Sequence, residues 1–301
     1  MSHLHAILLL VAGLGLLPRL TAAAEPAFKR TEDVIYGRKF GTALTFDVFE
    51  PPQKNGAAIL FMVSGGFFSS KEAINPKMYS LFLERGYTVF AIVHGSQPKF
   101  QIPEITKDIH RAVRYVRHHA RRWGVDTNKF GITGGSAGGH LSLALGTQGG
   151  PGKAGDKDPV ERAGSEVQAV ACFFPPTDFL NYGRPGEDAV GVGTLQGFKA
   201  AFGTKANTAE GRQELGRAIS PINFITSNMP PTLIVHGDAD KLVPIYQAQR
   251  FTARAKQAGA TCRLVTKPGA DHGWVGMEKD YVLLADWFDA HLLGRKAGAD
   301  R

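Results

Sequence analysis

The chain has only two cysteines, Cys172 and Cys262, in 301 residues. Two thiols make no disulfide framework. Both fall in apolar, strand-like runs, so free, buried thiols are expected. Metal-ligand spacing is missing as well. His110, His118 and His119 share one helix without a cysteine or carboxylate partner at ligand spacing, and read as surface residues, so no metal is implied. Past the first two dozen residues no apolar run approaches the roughly 20 residues that cross a bilayer, which speaks against stable membrane insertion. No G-x-x-x-x-G-K-[ST] loop is present to cradle a nucleotide phosphate, and no internal repeat is found. The formal charge of +8 comes without a nucleic-acid reader motif. The basic residues between Arg111 and Arg122 read as a solvated helix face, so nucleic acid is not an expected partner.

What is present is the composition of a globular protein, 43% hydrophobic and 21% charged. The apolar run from Ala6 to Leu17 is followed by Pro18, Arg19 and the small residues Ala22, Ala23 and Ala24, the order of parts in a signal peptide. Cleavage is expected after Ala24, and the product is expected to be secreted or periplasmic. Residues 25–301 then suit a single domain built around one sheet.

Along that domain, Ala43 to Phe49 alternates, while Ala57 to Val63 and Tyr87 to Val93 are continuous apolar runs of buried-strand length. Lys77 to Arg85, stopped by Gly86, joins the latter two as a β-α-β unit. Ile105, Ile109, Ala112, Val113 and Val116 recur at helical spacing up to Trp123-Gly124. Further strands are expected at 129–133, 168–174, 232–236 and 262–266, with helices at 244–258 and 279–293. This alternation predicts a doubly wound α/β domain around a mostly parallel sheet. Residues 147–166 read as an exposed loop, and 177–230 as a small helical insertion that would cap one end of the sheet.

The chemistry centres on Gly134-Gly135-Ser136-Ala137-Gly138, a G-x-S-x-G in which a strand meets a helix-compatible stretch. Glycine tolerates the close packing of such a turn, and the turn sets Ser136 at a helix N-terminus that favours negative charge. A serine hydroxyl needs a neutral imidazole to take its proton and a carboxylate to hold that imidazole. Thr232 to His236 runs into a loop offering Asp240, and Pro268 to Trp274 supplies His272 at the same sheet edge. The order Ser136, Asp240, His272 is the order of α/β-hydrolases. Ser64-Gly65-Gly66-Phe67, which follows another strand, provides backbone N–H donors at Gly66 or Phe67, and Ala137 N–H provides the second member of an oxyanion hole.

On these residues the chain resembles the α/β-hydrolase esterases, near the acyl- and carbohydrate-esterase branch that borders the prolyl-oligopeptidase-like hydrolases. The resemblance spans residues 30–293. It implies a fold of about eight strands with helices on both faces, a serine carboxylic-ester hydrolase without a cofactor, and a small or polysaccharide ester as substrate, with acetyl or feruloyl as the acyl group. It selects Asp240 as the acid over Asp238 and Asp271. Ser64 departs from the His-Gly-Gly-Gly of many relatives, and Phe67 from their third glycine. Phe68, Asp178 and Trp274 are the expected substrate contacts, although Asp178 suits helix capping better. A prolyl-oligopeptidase-like exopeptidase is the rival enzyme, but too few residues precede Val34 for its usual propeller. A non-catalytic binding protein of the same fold is the rival outside enzymes, and it would normally lack a member of the triad. N-terminal sequencing of the exported protein is expected to begin at Glu25; retention of Met1 would contradict the expected cleavage.

Overall fold

Eight strands form one sheet in a computed structural model that describes residues 28–295. The expected signal peptide lies outside the described residues. The strands are β1 (Lys29–Lys39), β2 (Thr42–Glu50), β3 (Ala58–Met62), β4 (Thr88–Val93), β5 (Phe130–Gly135), β6 (Ala169–Phe173), β7 (Thr232–Gly237) and β8 (Cys262–Lys267), in the spatial order β1-β2-β4-β3-β5-β6-β7-β8. β2 pairs antiparallel with β1 and β4, and every pairing from β4 through β8 is parallel. The helices are α1 (Ser80–Glu84), α2 (Ile102–His118), α3 (Ala120–Trp123), α4 (Ala137–Gln148), α5 (Lys199–Phe202), α6 (Ala209–Ile219), α7 (Tyr246–Gln257) and α8 (Tyr281–Leu293).

The continuous apolar runs become strands buried on both faces: every residue of β3, β6 and β7 is buried. Each such aliphatic or aromatic side chain contributes about 1.5–3 kcal/mol relative to exposure. One face of the sheet packs on α2, α4 and α7, the other on α1 and α8, giving two hydrophobic clusters. α2 is set by a capping box, Gln101 with Glu104, and by the stripe Ile102, Ile105, Ile109, Ala112, Val113 and Val116, all buried. The chain after α3 turns at Gly124, whose φ is 64°. The β-α-β unit expected between Ala57 and Val93 is present as the parallel pair β3 and β4.

Three expectations need correction. The basic face of α2 is not simply solvated, because residues 147–166 fold back on it. Arg111 pairs with Asp158 at 2.8 Å and Glu161 at 2.7 Å, Arg114 with Glu161 at 3.2 Å, and Arg117 donates to the Gly164 and Glu166 carbonyls at 2.6 Å each. His110 is no surface residue: its Nδ1 lies 2.9 Å from Ser165 Oγ, and burial pulls its pKa down to about 4. The third concerns Cys262, which is only half-buried, whereas Cys172 is fully buried. The two are free, and they sit on β6 and β8 with β7 between them. Two strand spacings amount to roughly 10 Å, beyond the roughly 7 Å Cα separation a disulfide bridges.

Residues 177–230 form short helical segments, among them α5 and α6, and Leu195 and Phe198 from this stretch reach the carboxyl end of the sheet beside Ser136. Thiol alkylation of the denatured protein is expected to count two thiols with or without prior reduction; a count that rises from zero to two on reduction would overturn the separation of β6 and β8.

Candidate active site

Ser136 sits between β5 and α4 at φ 54°, ψ −120°, a conformation that L-residues rarely adopt. The turn is held because strand and helix touch backbone to backbone. A Cβ on Gly134 would lie 2.6 Å from Gly138 C, and one on Gly138 would lie 2.8 Å from Met62 O. Ser136 N–H donates to Phe173 O at 3.0 Å, which ties the turn to the end of β6.

The loops after β7 and β8 bring the two partners. Ser136 Oγ lies 2.9 Å from His272 Nε2, and His272 Nδ1 lies 2.8 Å from Asp240 Oδ2. The Asp240 carboxylate is fully occupied. Its Oδ1 accepts from Leu242 N–H (2.9 Å) and Val243 N–H (2.8 Å), while Oδ2 also has His236 Nε2 at 3.3 Å. Burial by itself would raise the Asp240 carboxyl pKa, but the hydrogen bonds from His236 and His272, with Val243 N–H, outweigh it and hold the carboxyl well below the ordinary range. The competing carboxylates brace the same loops. Asp271 Oδ1 accepts from Lys241 N–H (3.0 Å) and His272 N–H (2.8 Å), and Asp238 Oδ1 accepts from Gly269 N–H (2.6 Å).

Ser64 to Phe68 closes as a two-residue turn. Gly65 and Phe68 exchange N–H···O bonds of 3.1 and 2.9 Å, and Gly66 and Phe67 both have positive φ, 55° and 65°. Positive φ at both central positions is the mark of a type I′ turn. At Phe67 it costs roughly 1–2 kcal/mol, where a glycine would sit without strain. Among the described residues the N–H groups of Gly66, Phe67 and Ala137 have no protein acceptor. The departure at Ser64 is answered from the loop after β4: its hydroxyl donates to His94 Nε2 at 2.8 Å, and His94 Nδ1–H donates to Gly95 O at 2.8 Å. Burial lowers the His94 pKa to about 4, so the ring is neutral, as these two bonds require.

These groups face a cavity of about 270 Å³ lined by Gly65, Gly66, Phe67, Ser136, Ala137 and His272, with Pro176, Tyr182, Leu195, Phe198, Leu242 and Val243 as a mostly apolar wall. Leu195 and Phe198 come from the 177–230 insertion. The structure therefore brings together Ser136, Asp240, His272 and the N–H groups of Gly66, Phe67 and Ala137. The three expected substrate contacts lie outside this cavity. Phe68 projects outward, 54% exposed. Asp178 is buried, paired with Arg250 at 2.6 Å, and caps the turn at Leu180 N–H (3.1 Å). Trp274 donates its indole N–H to Asp280 at 2.7 Å and packs on Phe173 and Phe174.

Sequence reasoning passed over several supports. Phe174, at φ 33°, lays its ring 4.5 Å from that of His272. The buried Gln247 amide accepts from Thr177 N–H (2.8 Å) and Asp178 N–H (2.7 Å) and donates to Tyr182 O (2.5 Å), fixing the Pro176–Tyr182 wall. Gln97 donates to the carbonyls of Gly66 and Phe67. A polar run, His94 to Gln97, directly after the apolar β4 is the signal by which the last of these could have been found.

The chain is similar to known ester hydrolases. The model of the BD-FAE family matches residues 46–254. A probable carboxylic ester hydrolase, LipM, of Mycobacterium tuberculosis is 31% identical over 75% of this chain and 51% of its own. An ethyl acetate hydrolase of Pseudomonas putida is 25% identical over 84% of this chain and 80% of its own. Among solved structures, a truncated carbohydrate esterase from gut microbiota superimposes with a TM-score of 0.74 at 26% identity, covering 90% of this chain and 99% of that one. The chain spans about half to three fifths of the length of the mycobacterial relatives it matches.

The depressed Asp240 pKa has a defined sign. The ionised carboxylate contributes stability that is fully present above its unfolded value of about 4 and is lost as pH falls through the lower folded value. Asp240→Asn is therefore expected to lower the melting temperature at pH 7, with the gap to wild type closing as pH approaches 2. A gap that stays constant from pH 7 to pH 2 would show that Asp240 is not held ionised.

Proposed function

The chain belongs to the BD-FAE family, and on that premise we propose that it is a serine carboxylic-ester hydrolase that works through an acyl-enzyme. The observation that carries this reading is the continuous line from Asp240 Oδ2 through His272 to Ser136 Oγ, in steps of 2.8 and 2.9 Å, ending in a cavity with unoccupied N–H donors.

In this reading His272 Nε2 takes the Ser136 hydroxyl proton as Oγ attacks the ester carbonyl carbon. Nδ1–H stays bonded to the ionised Asp240, which stabilises the imidazolium formed. The carbonyl oxygen gains the electron pair and is held by Ala137 N–H and by the Gly66-Phe67 turn. Each such donor supplies about 3–4 kcal/mol in enzymes of this kind. Collapse of the adduct breaks the ester C–O bond, and the imidazolium returns its proton to the leaving alcohol. Water, deprotonated by the same imidazole, then attacks the acyl-Ser136 carbonyl, releasing the acid and restoring the hydroxyl.

The mostly apolar wall and the volume of about 270 Å³ suit a short or flat acyl group, such as acetyl or feruloyl. The gut carbohydrate esterase among the structural relatives supports an ester carried on saccharide. The N-terminal run Ala6 to Leu17 supports export to where such esters are met. Ser136→Ala is expected to reduce hydrolysis of p-nitrophenyl acetate by roughly 10³-fold or more; retention of most activity would remove Ser136 from the mechanism. In a panel of acetylated and feruloylated oligosaccharides assayed beside peptide amides, the saccharide esters are expected to be cleaved and the amides left intact. The reverse order would transfer the chain to the exopeptidase reading.

A further inference from the structure

Gln97 is buried, 5% exposed, and lines no part of the cavity. Its backbone N–H donates to Phe67 O at 3.2 Å, and its side-chain Nε2–H donates to Gly66 O. The second contact falls on the one peptide of the Gly65–Phe68 turn whose polar groups the turn itself leaves unused, the peptide that joins Gly66 to Phe67. In a trans peptide the C=O and N–H point in opposite directions. With Gly66 O held on the Gln97 side, Phe67 N–H is turned away from Gln97, toward the cavity that Gly66, Phe67 and Ser136 line.

The sequence of the turn prefers the opposite arrangement. Glycine at the first central position followed by a non-glycine is the mark of a type II′ turn, in which the second central residue has negative φ. Types I′ and II′ differ by a flip of the central peptide. Phe67 would lose its strain by that flip, and its N–H would leave the cavity. The observed φ of 65° at Phe67 means that something outside the turn holds the peptide over. The Gln97 side chain is the group bonded to that peptide's oxygen.

We propose that Gln97 is a positioning residue that locks the Gly66–Phe67 peptide in its strained orientation, so that Phe67 N–H is presented to the oxyanion. The proposal rests on the ester-hydrolase reading and names which of the two turn donors serves it. Gln97 acts through the peptide and touches no reacting atom.

The test measures p-nitrophenyl acetate kinetics for Gln97→Leu and the isosteric Gln97→Glu, whose carboxylate accepts and does not donate. Rates are taken per active site titrated with an organophosphate, so that unfolded protein does not count. Both variants are expected to lose about 10- to 10²-fold in kcat, with KM within about threefold because the ground-state ester makes little use of the donor. Affinity for a trifluoromethyl ketone, which forms the charged adduct, is expected to fall in parallel with kcat/KM.

The decisive comparison repeats Gln97→Leu in a Phe67→Gly background, where positive φ has no cost and the flip no longer relieves strain. There the loss caused by Gln97→Leu is expected to shrink to a few-fold. Unchanged kcat per titrated site in both variants, or an equal loss in the wild-type and Phe67→Gly backgrounds, would overturn the proposal. Failure of the ester-hydrolase reading itself would appear separately, as hydrolysis that survives Ser136→Ala.

Discussion

The buried Asp240 carboxylate is the constraint on which the site turns. A charge taken out of water must be met by hydrogen bonds on every lone pair or it neutralises. Asp240 meets that demand with two backbone N–H groups of its own loop and two imidazoles from β7 and the β8 loop. Satisfying the charge and lining up Asp240, His272 and Ser136 are thus the same act. The ring of His272 is oriented by one side of the carboxylate, and the loop that carries Asp240 is shaped by the other. Asp238 and Asp271 extend the logic outward, since each binds the backbone of the opposite loop and keeps two chain segments in register at the sheet edge.

Backbone strain is concentrated where this edge meets the cavity. Ser136, Phe67 and Phe174 are three of the five non-glycine residues with positive φ among the described residues, and they come from three different strand ends. Each such residue costs on the order of 1–3 kcal/mol and persists only where its surroundings over-determine it. The surroundings are visible in each case: touching glycines and Phe173 O at Ser136, Gln97 at Phe67, and the packing of Phe174 against His272 and Trp274. Ser136 and Phe67 line the cavity, and Phe174 braces the His272 ring beside it.

The insertion and the charge pattern are also resolved by packing. Residues 177–230 contribute Leu195 and Phe198 as apolar wall, and the buried Gln247 amide holds the Pro176–Tyr182 strip that lines the same cavity. The basic face of α2 looked like a solvated surface. It is instead the docking face for Asp158, Glu161 and the backbone of the 147–166 segment, an arrangement of Arg111, Arg114 and Arg117 that uses part of the positive charge internally.

Periodicity and order made the strands, the helices and the Ser136, Asp240, His272 arrangement legible, because buried strands must be apolar, amphipathic helices must repeat near 3.6 residues, and the nucleophile turn must carry glycines where backbones touch. Those are local demands, written in neighbouring residues. Tertiary structure alone decided that Asp178, Phe68 and Trp274 lie away from the cavity, that His94 supports Ser64, that His236 shares Asp240, and that Gln97 holds the Gly66–Phe67 peptide. Each of these depends on which way a side chain points after distant strands are laid side by side. Spacing along the chain carries no record of that direction, since it is set only when the sheet brings its strand ends together.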